Sequence, residues 1–91
     1  MNSYDTLIYS RYAPDEAQAR IDYDTACEIE EQAHARYDEA LNTLIVMYES
    51  HQPSATIRLQ KVVVELDRKD FRRAQNDARH ALSRLEQVRG R

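Results

Sequence analysis

With 91 residues, a single cysteine, a single glycine and two prolines, the chain has room for one domain and lacks the means to build a disulfide framework or a glycine-rich phosphate cradle. Apolar residues make up 42% and charged residues 32%, a composition that excludes a disordered chain and points to helices. The net charge of −3 is too mild for the whole molecule to be drawn to nucleic acid or membranes, yet its halves oppose each other: residues 1–54 hold three arginines against eleven acids, −8, and residues 55–91 hold ten basic side chains against five acids, +5.

Residues 1–12 place Tyr4, Leu7, Ile8 and Tyr12 at helical spacing and are read as a short helix or docking arm. Pro14, Asp15 and Glu16 then make a helix start, because proline suits the first turn and acids there meet the positive end of the helix dipole. No breaker comes after them until about residue 50. Along this acidic helix (14–50), Ala19, Tyr23, Ala26, Ala33, Tyr37, Ala40, Leu44 and Met47 recur at steps of three and four, interrupted only by Glu30. That is a heptad-like seam whose alanines admit a close neighbour while the rings fill gaps beside them.

His51, Gln52, Pro53 and Ser54 form the loop (51–54): proline disfavours helix in the residue before it, and Ser54 is expected to cap the second helix. A loop this short predicts antiparallel helices. The second, basic helix (55–88) packs Ile57, Leu59, Val62, Val63, Val64 and Leu66 beside the loop, the valine triplet implying burial on several sides, and continues through Phe71, Ala74, Ala78, Leu82, Leu85 and Val88. The charged run Asp67 to Asp70 is the one place where a further turn would fall. Tyr37 and Phe71, each followed three residues later by alanine, lie 34 residues apart, the period of tetratricopeptide repeats. The tryptophan, leucine-glycine and tyrosine positions of that repeat are missing from both copies, so the spacing is read as coincidence.

The expected fold is therefore all-α: an antiparallel two-helix hairpin with an N-terminal arm, assembling as a helical bundle. Tyr37, Leu44, Val63, Leu66 and Phe71 are the candidate assembly seam. Asp24, Glu28, Glu31 and Asp38 form a candidate acidic partner-binding face, and Arg68, Arg72, Arg73 and Arg79 a basic one. Glu31 and His34 fit one Glu-x-x-His element of di-iron bundles, but that chemistry needs two such elements and two more carboxylates, so a solvated face with a Glu30–His34 pair is preferred. Cys27 has no orienting triad, and His51 and His80 lack a partner pattern for general-base work.

These features predict a non-catalytic protein–protein interaction module, without cofactor or metal, possessing a protein partner or forming a homodimer. One alternative is a small inhibitor or adaptor that occludes a surface of a larger host protein, as phage or mobile-element factors do. Another is nucleic-acid binding through the basic helix, where interleaved Asp67, Asp70, Asp77 and Glu86 weaken the case. No apolar stretch has the length of a signal peptide or membrane span, which predicts a cytoplasmic location and no membrane partner.

Overall fold

A computed structural model describes residues 14–90, so the arm expected over residues 1–12 lies outside the described residues. The described residues form two α-helices of 36 residues each, α1 from Pro14 to Glu49 and α2 from Ser54 to Arg89. At 1.5 Å per residue each is about 54 Å long, which accounts for the longest extent of 59 Å. α2 runs unbroken through Asp67 to Asp70, so the chain has no turn there and no repeat boundary.

Cross-helix partners fall in number along α2 as they rise along α1. Glu16 meets Arg89, Asp22 meets Arg84, His34 and Tyr37 meet Phe71, and Ala40 meets Gln60. The hairpin is antiparallel. Its seam follows the predicted heptad on α1, with Ala19, Ala33 and Ala40 buried and Tyr23, Ala26, Tyr37, Leu44 and Met47 half-buried. Glu30 occupies the interrupted heptad position and is itself half-buried, so the charge sits in the seam without displacing it. α2 answers with Ile57, Gln60, Val64, Asp67, Phe71, Ala74, Ala78, Ala81, Leu85 and Val88, an unbroken alternation of three and four.

Among the described residues the buried set is five alanines and Leu85. Alanines let two backbones approach closely, but each removes little apolar area from water, so the core is thin. Polar groups inside the seam set register instead: the Gln60 side-chain amide donates to the Ala40 carbonyl at 3.0 Å. Arg84 reaches Asp22 at 3.8 Å and Arg89 reaches Glu16 at 3.4 Å, joining the basic helix to the acidic one.

The loop is built differently from the sequence expectation at one point. Pro53 takes the cap position of α2 with no side-chain capping bond, and Ser54 is already the first helical residue. The Ile57 amide instead donates to the Pro53 carbonyl at 3.1 Å. At the end of α1 the His51 amide donates to the Tyr48 carbonyl and the Gln52 amide to the Met47 carbonyl, with His51 at φ 54°. This is a Schellman motif with histidine in the left-handed position that glycine usually fills.

Candidate protein-interaction site

Helical phase decides which apolar residues the hairpin uses. Tyr37, Leu44 and Phe71 lie in the seam and are half-buried, whereas Val63 and Leu66, predicted with them, lie on another face of α2. With Leu59 and Val62 they make an i, i+3, i+4, i+7 stripe whose members are 43–70% exposed. The valine triplet is correspondingly divided: Val64 enters the seam, and Val62 and Val63 face solvent. The predicted burial on several sides is not supplied by one hairpin, because a single neighbouring helix covers one face only.

Exposed apolar surface is concentrated at the loop end. Of the nine large exposed hydrophobic residues among the described ones, Ile45, Val46, Tyr48 and the four stripe residues lie between positions 45 and 66, and Ile21 and Ile29 lie toward the open end. Lys61 holds its ammonium 5.6 Å from the Tyr48 ring centroid, bridging the helices across this region. Outside α2's stripe, Ala35, Asn42, Thr43, Val46 and Ser50 together with Asp38, Glu39 and Met47 line a hollow of about 870 Å³ along α1. Its lining among the described residues comes from α1 and Gln52 of the loop, and the hollow is open to solvent.

The acidic residues Asp24, Glu28, Glu31 and Asp38 are all exposed and share one stripe of α1, at steps of four, three and seven. Arg72, Arg73 and Arg79 are exposed on α2, while half-buried Arg68 is tied to Glu65 one turn earlier. The two faces border the same broad side, since Arg79 lines a hollow with Cys27 and Glu30, and Cys27 lines the next with Glu31 and His34. Glu16, Asp22, Arg84 and Arg89, none of them in the two predicted faces, make ion pairs across the helices. The opposite halves of charge announced such pairs, but their identity depends on the register.

His34 pairs with Asp38 at 3.4 Å, not with the predicted Glu30, and stacks on Phe71 with ring centroids 4.8 Å apart. Its imidazole is therefore committed to packing and to a carboxylate one turn ahead. No cluster of three or more His, Cys, Asp or Glu with the spacing of a metal site occurs among the described residues. A hydrogen bond with Cys27 first, then the charge of that thiol, hold the Tyr23 phenol above its ordinary pKa, opposite to the shift that would make a base or nucleophile of it. The Arg68 guanidinium, hydrogen-bonded to Glu65, holds that carboxyl below the ordinary glutamate value.

No described helix is long and apolar enough to cross a membrane. No protein-family model, curated protein or solved structure matches the chain.

Proposed function

We propose that the chain is a non-catalytic protein–protein interaction module that binds its partner through the apolar loop end of the hairpin. The observation that carries this reading is the stripe Leu59, Val62, Val63 and Leu66, which stays exposed after the hairpin has closed its own seam. Exposed apolar groups gathered on one part of a small protein mark a contact surface, because leaving them in water forgoes about 25 cal/mol per Å² of burial.

The test is light scattering coupled to size exclusion on the untagged full chain, over a range of concentration and salt, together with affinity capture by the chain and by its Leu66→Asp variant. A species heavier than the 10.7 kDa monomer, or a bound protein that Leu66→Asp releases, is the expected result. A monomer at every concentration whose captured proteins are indifferent to Leu66→Asp would reject the module reading.

The exposure of Asp24, Glu28, Glu31 and Asp38 along one stripe favours a second reading, an inhibitor or adaptor that occludes a basic surface of a larger protein. Glu28→Lys, Glu31→Lys and Asp38→Lys together should then abolish capture with helicity retained, and unchanged capture would remove the acidic face from consideration.

A further inference from the structure

Toward the open end of the hairpin, one broad side carries a groove between α1 and α2. Its first hollow, of about 230 Å³, has Tyr23, Cys27, Ala78 and Leu82 as its small and apolar lining and Glu30, Gln75 and Arg79 as its polar one. A second hollow of about 390 Å³, bounded by Glu31, His34 and Phe71, adjoins the first through Cys27 and Glu30, which line both. The seam beneath is made largely of alanine, with Ala19, Ala26, Ala78 and Ala81, so two helices alone leave Tyr23, Cys27 and Leu82 only half-buried. A third element laid along the groove would remove them from water.

Reach selects the occupant. Tyr23 and Cys27 stand about 14 and 20 Å along α1 from Pro14. Residues 1–12 join α1 at that same end, and at the helical rise they span about 18 Å. Pro14 disfavours helix at Ala13, which sets a turning point between the segment and α1. At the helical period Tyr4, Leu7, Ile8 and Tyr12 form one apolar row, about 12 Å from end to end, with Thr6 and Ser10 on the opposite side. We infer that residues 4–12 turn back along α1 and seat this row in the groove over Tyr23, Cys27 and Leu82. The loop-end stripe is out of range of the same segment. Leu66 lies on α2 between Gln60 and Phe71, whose partners are Ala40 and Tyr37, and is therefore about 35–39 Å from Pro14. The contact is within one chain, stands apart from the interaction-module reading, and leaves the stripe available to a partner.

The test follows alkylation of Cys27, the one cysteine of the chain, by a maleimide at fixed pH in the full chain. Leu7→Asp with Ile8→Asp should uncover the thiol and speed the reaction about tenfold with helical circular dichroism retained, because protection follows how often a cover opens. Ser10→Lys, on the other side of the row, should keep the parent rate. Leu7→Ala with Ile8→Ala should show the same order with a smaller change, and takes the place of the aspartate pair if that pair lowers helicity. Rates within about twofold of the parent in the row variants, or an equal acceleration by Ser10→Lys, would overturn the proposal. So would protection that deepens as protein concentration rises, which would put the segment on another copy. Leu66→Asp should leave the Cys27 rate unchanged while releasing a captured protein, so the groove and the loop end succeed or fail separately.

Discussion

His51 ends α1 in the left-handed region, with φ 54°, because the chain must reverse within the four residues from Ser50 to Pro53. A side chain in that conformation costs roughly 1 kcal/mol relative to glycine. His51→Gly should therefore raise stability by up to about that amount, a rise of about 4–8 °C in the midpoint of a thermal melt followed by circular dichroism. Two titrations belong to the same scale. Glu65 has its pKa lowered by the hydrogen bond from Arg68, so its contribution to stability is present above the ordinary glutamate value of 4.5 and is lost as pH falls through the lowered folded value. Both side chains reach solvent, so the effect should shrink in salt. Tyr23 runs the other way: its raised pKa gives stability that is present below pH 10.0 and is lost as pH rises through the folded value. Cys27→Ala should move the Tyr23 titration, followed by phenolate absorbance, down toward the ordinary tyrosine range. An unmoved titration would deny the hydrogen bond its role.

Between the two helices the decisive feature is the use of alanine. Ala33 is 2% exposed, so a larger side chain there has no space without driving the helices apart. Ala33→Leu should cost about 1–3 kcal/mol by overpacking, although leucine forms helix nearly as readily as alanine does. Chemical denaturation followed by circular dichroism would measure it, and an unchanged midpoint would mean that the seam is looser than the alanine contacts require. Gln60 offers the reverse case, a polar group at a seam position that an apolar residue would ordinarily fill. Gln60→Leu should hold or raise stability while releasing the hydrogen bond that sets Ala40 level with residue 60, visible as greater freedom of the helix register in amide exchange.

For the molecule as a whole, exposure separates two leucines on α2 that sequence alone treats alike. Leu85 is 3% exposed and Leu66 is 56% exposed. Leu85→Asp should unfold the hairpin, seen as loss of helical circular dichroism at 25 °C, because a charge buried in so thin a core has no partner. Leu66→Asp should keep the helicity of the hairpin and lose association. If both variants unfold, the stripe belongs to the fold and not to an interface.

Fold class, helix ends to within a residue or two, the loop and the α1 heptad were all legible in the sequence, since each rests on local physics: proline placement, dipole charge and the 3.6-residue period. The continuity of α2 through Asp67 to Asp70 was not, because a charged run suits a solvated turn and a solvated helix equally well. Nor was the partition of apolar residues between seam and surface. A chain with apolar groups on several faces has several candidate seams, and the choice belongs to the neighbour that packs: the α1 alanines and tyrosines selected Ile57, Val64 and Phe71, and left Leu59, Val62, Val63 and Leu66 in water. His34 went the same way, paired by the sequence with Glu30 but drawn to Phe71 and Asp38 once the second helix supplied a ring. The sequence by itself determined two oppositely charged helices and the turn between them, because those depend on contacts within a few residues. Only the tertiary structure decided which apolar face remains open, because that depends on the register in which two distant helices meet.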